Sequence, residues 1–369
     1  MNIPFFNYKL LFEEHKKALI DIFSDVGSRG AYIMQNDLAD FESNIEQYTG
    51  IKHAIGVGNA TDAMQLLLKA GGIGNGDEVI FCSHTMIATA SAIKFTGATP
   101  IPVEASSDHL IDINSIKNSI TPKTKAIMPT QLNGRVADMD QISAIAKEYG
   151  LQIYEDSAQA LGAKFKDKCA GSFGLGGCIS FYPAKTLGCF GDGGMILTND
   201  DNIFDKIKLM RDHGRGKDGN VSVWGYNSRL DNMQAAILNF FFQGYDKTVE
   251  RRRNIADLYH QELKDVEQIK IPSATDDDKN HFDIYQNYEI EADDRDKLKE
   301  FLANKGIGTL IQWGGKAVHE FRDLGFKQSL PITEKIMRKS IMLPLNMSIN
   351  DKEIKYVCNQ VKSFYSKND

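Results

Sequence analysis

Cysteine is scarce in this chain and is not arranged to bind metal or to form disulfide bridges. The 369 residues include only five cysteines, an odd number, and no two of them form a CxxC pair. Structural disulfides and a zinc site are therefore not expected, and the composition fits the reducing cytoplasm. We expect the cysteines to be small buried hydrophobic residues and the protein to hold no metal.

Long apolar runs and an excess of basic charge are also missing. The sequence has no run of 18 apolar residues, so neither a membrane span nor a membrane partner is expected. The 43 lysines and arginines are outnumbered by 49 aspartates and glutamates, which gives a formal net charge of -6. Such a chain lacks the overall basic surface typical of nucleic-acid binding, so nucleic acid is not an expected partner.

The chain does contain a regular alternation of strand-like and helix-like segments, and 42% of its residues are hydrophobic. This pattern predicts an α/β fold whose large domain has a mostly parallel, seven-stranded sheet wrapped by helices. The predicted strands are 53–57, 78–82, 99–103, 124–128, 151–155, 178–181 and 195–198. The predicted helices between the first five are 62–70, 87–95, 113–120 and 139–149. Sheets of this kind bind their ligands beyond the carboxyl ends of the strands.

The rest of the chain predicts a second, smaller domain. One long helical region is predicted at 231–263, followed by a strand at 283–291, a helix at 295–305 and a closing helix at 351–363. We predict a large domain at 1–245, which starts with a helix and a loop bounded by Gly27 and Gly30, and an α+β domain at 246–369.

Three segments carry residues suited to chemistry, and each lies where a predicted strand meets a loop. The first, IGVGNATD at 55–62, combines small residues with the start of a helix, whose free N–H groups can bind an anion. A tight turn capped by Asn59 or Thr61 would explain the same residues. The segment also loosely matches a dinucleotide fingerprint, but Thr61 replaces the last glycine and no acid ends the next strand, so a nicotinamide enzyme is the weaker alternative.

The second segment, LQIYEDSAQ at 151–159, places Asp156 at the end of a buried strand. A buried carboxylate is costly without a cationic partner. A protonated pyridine nitrogen would be such a partner, and pyridoxal phosphate needs one as an electron sink. A cap on the following turn is an equally good explanation of Asp156 alone.

The third segment, SFYPAKTLGCFGDGG at 180–194, places a single lysine, Lys185, in apolar and glycine-rich surroundings. Such a lysine either extends its amine to solvent or has a lowered pKa and a covalent role. A Schiff base with an aldehyde requires the neutral amine, which desolvation favours. The three segments together, on successive strands of one sheet, are difficult to explain by packing.

At this point the sequence resembles the sugar-nucleotide aminotransferases of the DegT/DnrJ/StrS type, which have the aspartate aminotransferase fold, fold type I. The resemblance covers nearly the whole chain, and the blocks at 180–185 and 227–231 are highly specific in combination. Other matching blocks lie at 30–33, 41–42, 76–79, 85–89, 153–159, 213–214, 234–236 and 343–345.

The resemblance implies pyridoxal 5'-phosphate (PLP) as the cofactor and gives each matching residue a role. Lys185 would hold the cofactor through a Schiff base and would later move a proton between cofactor and substrate. Asp156 would pair with the pyridinium nitrogen, and Gln159 would lie near the cofactor's ring oxygen.

The resemblance also implies a phosphate site and a shared active site. Ala60 and Thr61, together with Ser180, would bind the cofactor's phosphate. Asn227 would reach the phosphate of the neighbouring subunit's cofactor, so the working unit would be a homodimer. Arg229 would support the same interface region.

Two departures from the family pattern affect the cofactor's surroundings. Ala60 stands where the family usually has glycine, and Met86 stands where an aromatic ring often stacks on the cofactor. Either Met86 or His84 could cover the ring instead. The residues expected near the substrate are Tyr32, His84, Arg229, Trp313 and His319.

The resemblance therefore implies a PLP-dependent aminotransferase that moves an amino group from an amino acid, L-glutamate, to a nucleotide-linked keto deoxysugar. The expected context is amino-sugar biosynthesis for a surface polysaccharide or a glycosylated metabolite. One alternative is a PLP-dependent sugar dehydratase of the same fold, in which histidine replaces the Schiff-base lysine. The other is a non-catalytic PLP-binding regulator, which would need a DNA-binding domain or a broken site.

Overall fold

The computed structural model describes residues 1–275 and 277–366 and shows an α/β molecule. Its helices are α1 (Tyr8–Arg29), α2 (Asn36–Thr49), α3 (Ala60–Ala70), α4 (Ile87–Phe95), α5 (Ile113–Ser119), α6 (Met139–Tyr149), α7 (Asp201–Met210), α8 (Asn232–Phe242), α9 (Tyr245–Leu263), α10 (Arg295–Asn304), α11 (Pro331–Lys339) and α12 (Asp351–Tyr365). Short 3-10 turns lie at Leu132–Gly134, Gln312–Gly315, Val318–Glu320 and Arg322–Leu324.

The strands are short and number fourteen in the part of the chain described. They are β1 (His53–Val57), β2 (Glu78–Cys82), β3 (Thr99–Val103), β4 (Thr124–Met128), β5 (Gln152–Ile153), β6 (Glu155–Asp156), β7 (Lys164–Phe165), β8 (Lys168–Cys169), β9 (Gly177–Ser180), β10 (Gly194–Thr198), β11 (Ile269–Lys270), β12 (His281–Phe282), β13 (Tyr288–Ala292) and β14 (Ser340–Leu343).

The central sheet confirms the prediction of a mostly parallel, seven-stranded sheet. Two ladders, in the orders β3-β2-β4-β5 and β1-β10-β9-β6, meet where Tyr154 separates β5 from β6. The backbone N–H groups of Tyr154 and Asp156 donate to the carbonyls of Ile127 and Pro129, so β5 and β6 continue as one strand beside β4. The strand β10 is antiparallel to both of its neighbours.

Both faces of this sheet are buried, as expected for parallel strands covered by helices. Ile80 packs in one hydrophobic cluster and its neighbour Phe81 in another, and Ile127 and Met128 divide in the same way. Successive residues of a strand point to opposite faces, so each strand contributes to both clusters. This burial explains why the strands appear in the sequence as continuous apolar runs.

The carboxyl ends of β2, β6 and β9 lie at the same edge of the sheet, because β2, β4, β5/β6 and β9 run parallel. The edge carries the segment after Cys82, then Asp156, then Ser180. The start of α3 follows β1 at the same edge. All three candidate segments therefore converge on the place where such sheets bind ligands.

A second sheet, β11-β13-β14, is antiparallel and packs with α9, α10 and α12. Its hydrophobic cluster includes Tyr259 and Ile290, and also Ile3 from the other end of the chain. The predicted domain boundary between 245 and 246 falls at the first turn of α9 and stays a prediction.

Three predicted elements were wrong in their limits. The expected loop at Gly27 is the last turn of α1, because the helix ends only at Gly30, whose φ of 60° and backbone N–H bond to Gly27 form a left-handed cap. The region 231–263 is two helices separated at Gly244. The strand predicted at 283–291 is limited to β13, while the Asp283 carboxylate pairs with Arg135 instead.

Candidate active site

Asp156 is a buried carboxylate at the carboxyl end of β6, with 4% of its surface exposed. Its Oδ2 accepts a hydrogen bond of 2.6 Å from the Thr89 hydroxyl, and its Oδ1 accepts one of 3.2 Å from the N–H of Ala158. Burial raises the pKa of Asp156, and these bonds and the nearby Lys185 oppose the rise. Among the described residues no cationic nitrogen lies within 4.0 Å of this carboxylate, which can therefore pair with a cation of a ligand.

Lys185 lies in the loop that joins β9 to β10. The loop closes on itself, because the N–H groups of Phe181 and Cys189 donate to the carbonyls of Gly193 and Phe181. Burial lowers the pKa of Lys185 to about 8, and the negative charge of Asp156 opposes that shift. A lysine with a lowered pKa presents more neutral amine near neutral pH, which is the form that attacks an aldehyde.

Gln286, which the sequence analysis missed, holds the chain on both sides of Lys185. Its Nε2 donates to the carbonyl of Ala184 at 2.8 Å, and its Oε1 accepts from the N–H and the hydroxyl of Thr186 at 2.7 and 2.8 Å. The buried Arg252 in turn donates to the backbone carbonyl of Gln286. No local pattern could have indicated this contact, because about a hundred residues separate its partners.

The start of α3 lies close to the β9–β10 ladder and has free N–H groups that could bind an anion. Asn59 caps the helix by accepting from the N–H of Asp62, and the N–H groups of Ala60 and Thr61 have no partner within the helix. Gly194 pairs with Ser180 across the ladder, and a Cβ at Gly194 would lie 2.4 Å from the carbonyl carbon of Asn59. Glycine is therefore required for the strand to pass so close to the helix start.

Gln159 lies after β6 and is oriented by the 3-10 turn at Leu132–Gly134. Its Oε1 accepts from the N–H of Asn133 at 2.8 Å and from the side chain of Asn287 at 3.4 Å. These bonds engage the oxygen of the Gln159 amide. Its Nε2 group is then the end that can donate to an oxygen of a ligand.

Met86 and His84, the two residues predicted to cover the cofactor's ring, have very different surroundings. Met86 precedes α4 and is 52% exposed, whereas His84 is fully enclosed with its ring centroid 5.6 Å from that of Trp313. Burial lowers the pKa of His84 to about 4, so its ring is neutral. Of the two, Met86 is the residue open to a ligand.

His319, predicted near the substrate, is enclosed and both of its ring nitrogens are engaged. Its Nδ1 lies 2.7 Å from the hydroxyl of Ser83, and its Nε2 lies 3.2 Å from a carboxylate oxygen of Glu334. These contacts tie the turn at Val318–Glu320 to the end of β2. A substrate could contact this ring only by replacing one of the two partners.

Asn227, Arg229 and Tyr32 lie towards the surface of the single chain. Asn227 is exposed beside a backbone bridge to Asp212, and Arg229 donates to the carboxylate of Asp212 at 2.6 Å. Tyr32 is 57% exposed. Ser228, between Asn227 and Arg229, donates to Asp62 and accepts from the N–H of Gly58, so this segment lies beside the start of α3. The exposed side chains of Asn227 and Tyr32 are open to contact with a second subunit.

The residues at this edge of the sheet fit PLP. A desolvated lysine can bind its aldehyde, a buried carboxylate without a direct cationic partner can bind its ring nitrogen, and a helix start beside Ser180 can bind its phosphate. Fold and site together define a PLP-dependent aminotransferase of fold type I.

The chain belongs to the DegT/DnrJ/EryC1/StrS aminotransferase family, whose model matches residues 13–362. It is 37% identical to a pleiotropic regulatory protein of Geobacillus stearothermophilus over 99% of both chains. It is 34% identical to a dTDP-3-amino-3,4,6-trideoxy-alpha-D-glucose transaminase of Streptomyces venezuelae, over 100% of this chain and 97% of that protein. The crystal structure of S. venezuelae DesV in complex with a ketimine intermediate superposes with a TM-score of 0.93 at 34% identity, over 98% of both chains.

None of the described helices is both long and apolar enough to cross a bilayer.

Proposed function

We propose that the protein transfers the amino group of L-glutamate to a nucleotide-linked keto deoxysugar. The observation that carries the proposal is that Lys185, whose pKa burial lowers to about 8, follows β9 at the edge of the sheet where β6 ends in the buried carboxylate of Asp156. The name of the similar Streptomyces venezuelae transaminase supports a nucleotide-linked sugar as the acceptor. The product would serve the synthesis of a surface polysaccharide or a glycosylated metabolite.

In this proposal the bound cofactor supplies the aldehyde that carries the amine and the electron-poor ring that accepts charge. Asp156 holds the ring nitrogen in its protonated state, and Gln159 donates to the ring oxygen. Lys185 binds the cofactor when the site is at rest and moves protons at the substrate carbon when its amine is free. Met86 covers one side of the ring.

Ala60, Thr61 and Ser180 bind the cofactor's phosphate in the same proposal. Two N–H groups at the start of α3 point along the positive end of the helix dipole, and the two hydroxyls can donate to phosphate oxygens. The methyl group of Ala60 does not block this arrangement, because the contact is made by its backbone.

The proposal includes a homodimer in which Asn227 completes the phosphate site of the partner subunit and Arg229 supports the interface. The support for it is an exposed apolar segment next to Asn227: Trp224 is 98% exposed, and Val221 and Val223 are 66% and 38% exposed. Such residues favour burial against a second surface. Tyr32 and Trp313 remain the proposed neighbours of the sugar, whereas the enclosed rings of His84 and His319 lie out of its direct reach.

A cytoplasmic location belongs to the same proposal. It is supported by the five cysteines, which are buried and free.

The sugar dehydratase and the regulator remain weaker candidates. The dehydratase has histidine in place of the Schiff-base lysine, whereas this chain retains Lys185 in a desolvated setting. A regulator without catalysis would be expected to have a broken site, whereas this chain retains both Lys185 and Asp156 at one edge of the sheet.

The test is a turnover assay with the purified protein, PLP and L-glutamate against dTDP-, UDP- and GDP-linked keto sugars. We expect an amino sugar and 2-oxoglutarate in equal amounts, detected by mass spectrometry, with NMR locating the aminated carbon. Loss of a sugar hydroxyl without gain of nitrogen would indicate the dehydratase, and absence of turnover with every acceptor would contradict the proposal.

A further inference from the structure

A buried cluster of two histidines and a glutamate lies outside the residues proposed to bind PLP. His84 follows β2, His109 lies in the turn after β3, and Glu289 is on β13 of the second sheet. The three residues are 0%, 9% and 3% exposed. One potential ligand atom from each lies within 4.8 Å of the other two.

The distances within the cluster suit a small divalent cation. Oε2 of Glu289 lies 3.0 Å from Nδ1 of His109 and 3.7 Å from Nε2 of His84. Zinc binds nitrogen and carboxylate oxygen at about 2.0–2.2 Å in tetrahedral sites, which places neighbouring ligand atoms roughly 3.3 Å apart. The two separations from Glu289 bracket that value, and the two histidine nitrogens lie within 4.8 Å of each other, so adjustments of the side chains would complete a site.

The surrounding hydrogen bonds orient two of the three ligands. Nε2 of His109 lies 3.2 Å from Glu291, which also accepts from Lys270, and Oε1 of Glu289 accepts from Gln312 at 3.0 Å. A histidine that gives one ring nitrogen to a metal usually donates the other to a carboxylate. His109 has this arrangement, with Nδ1 directed at the cluster and Nε2 directed at Glu291.

The third ligand, His84, supplies independent evidence. Its ring is completely buried, and neither of its nitrogens has a hydrogen-bond partner in the part of the chain that the structure describes. Leaving a buried polar atom without a partner costs about 1–3 kcal/mol. A cation between His84 and Glu289 would give the Nε2 of this ring a partner, because that nitrogen is the one directed at the carboxylate.

We propose that His84, His109 and Glu289 form a binding site for a divalent cation of the zinc type. Two imidazoles and one carboxylate are ligands that zinc prefers, and three protein ligands leave a fourth position. His109 and Glu289 also line a cavity together with Asn133 and Arg135, which gives that position a route to water or to a small ligand.

The site would join the two sheets and lie close to the PLP residues. The cation would bridge the end of β2 to β13 of the second sheet. Asn133 links the two regions, because its side chain donates to Glu289 at 2.8 Å and its backbone N–H donates to Gln159 at 2.8 Å. This site revises the expectation of no metal, which rested on the cysteine pattern and did not consider histidine ligands.

The test is metal binding by the PLP-loaded protein after chelator treatment and removal of any affinity tag. We expect one zinc per chain by elemental analysis and a saturable isotherm with ZnCl2 by calorimetry. Cobalt(II) in the same site should give the intense visible bands of a four- or five-coordinate ion. Zinc-edge X-ray absorption should count two imidazoles.

Single substitutions identify which side chains bind the metal ion. His109→Gln and Glu289→Gln should each abolish the stoichiometric binding, and Glu291→Gln should weaken it roughly 10–100-fold as an outer contact of His109. His260→Gln is the matched control, because His260 also has a buried ring nitrogen without a partner but lies outside the cluster. That variant should bind like the wild type.

Several results would overturn the proposal. The first is that zinc does not bind the wild type saturably. The second is that cobalt(II) gives the spectrum of a six-coordinate surface ion. The third is that zinc binding is unchanged in His109→Gln and Glu289→Gln. Each would mean that His109 simply bridges Glu289 and Glu291 as a cation. If a variant does not fold, the cobalt and X-ray absorption spectra of the wild type alone decide whether the proposed metal site exists. PLP content and turnover are not readouts here, so the result is independent of the proposed function.

Discussion

The side chain of Gln286 accepts two hydrogen bonds from Thr186, one from its N–H at 2.7 Å and one from its hydroxyl at 2.8 Å. Together with the bond from Gln286 to Ala184, this contact holds the chain on both sides of Lys185. Gln286 lies just before β13 of the second sheet, so the position of the candidate lysine depends on a residue about a hundred positions away in the chain. We infer that Gln286 is a positioning residue for Lys185.

Gln286→Met should loosen the lysine loop and admit water to it. Losing the buried bonds should cost about 1–3 kcal/mol of unfolding free energy. The more specific effect is on pH: the apoenzyme should capture PLP with a midpoint above the value of about 8 that burial gives the pKa of Lys185. The shift is upward because a solvated amine is protonated more readily, and a protonated amine does not attack the aldehyde.

The measurement is the rate of cofactor capture from pH 6 to 10, followed by visible absorbance. Gln141→Met is the matched control, because Gln141 is exposed on α6 and bonds only to Asp138. A lower melting temperature with an unchanged pH midpoint would mean that Gln286 is merely structural.

Asp156→Asn should retain PLP but lose most turnover. The neutral amide keeps the shape of the site and the bond to Thr89, but no longer stabilises a protonated ring nitrogen. Removing one partner of a buried ion pair costs about 3–5 kcal/mol, which corresponds to roughly a hundredfold or more in rate. Steady-state kinetics and cofactor absorbance measure the two effects.

Glu155→Gln is the control for this experiment. Glu155 is the adjacent residue of β6, but its carboxylate bonds to Gln131 and to the N–H of Phe173 on the other face of the sheet. Near wild-type turnover in Asp156→Asn would show that this acid is only a cap of the following turn.

Thr61→Val combined with Ser180→Ala should weaken the retention of PLP. Hydrogen bonds to charged groups contribute about 1.5–3 kcal/mol each, so the double variant should lose cofactor on dialysis that the wild type retains. Thr49→Val, which removes a hydroxyl bonded to the carbonyl of Ile45 within α2, serves as the control. Equal retention by the double variant and the wild type would mean that the two hydroxyls do not face the phosphate.

Mixing two inactive variants tests the proposed dimer. Lys185→Ala should be inactive, and Asn227→Asp should be badly impaired because its carboxylate would face the partner's phosphate. When the two are refolded together, half of the dimers are mixed, and each mixed dimer has one site with both changes and one with neither. Activity should recover to about a quarter of the wild type under random pairing.

Differently tagged chains verify that mixed dimers form. If Lys185 and Asn227 served a site within one chain, every site would retain one change. The mixture would then be no more active than its components, and the shared site would be wrong.

The sequence alone was sufficient to predict the strands of the central sheet and to identify Lys185 and Asp156 as candidate site residues. The ends of an apolar run bounded by turns can be recognised from the local sequence, and β1 through β4 lie at the predicted residues. Because the carboxyl ends of parallel strands lie at the same edge of a sheet, the strand assignment alone places Asp156 and Ser180 at one edge.

The remaining features depend on contacts between distant parts of the chain. The helices α2, α7 and α11 were not predicted, nor were the strands β7, β8, β11, β12 and β14. The role of Gln286 is seen only in the structure, where its segment lies against the loop that carries Lys185. The proposed metal site was not predicted for the same reason, because His84 and Glu289 are about two hundred residues apart in the sequence. The sequence predicted His84 as a contact of the cofactor or the substrate. The residues adjacent to it in the sequence did not indicate that its ring is completely buried.

The central claim, that Lys185 is the residue that binds PLP, has one direct measurement. Borohydride should fix the cofactor of the yellow holoenzyme to the protein, and peptide mapping by mass spectrometry should find the added mass at Lys185. The desolvated amine of this lysine is the reason for the expectation. A labelled peptide that does not contain Lys185, or no fixed cofactor in a protein loaded with PLP, would contradict the account.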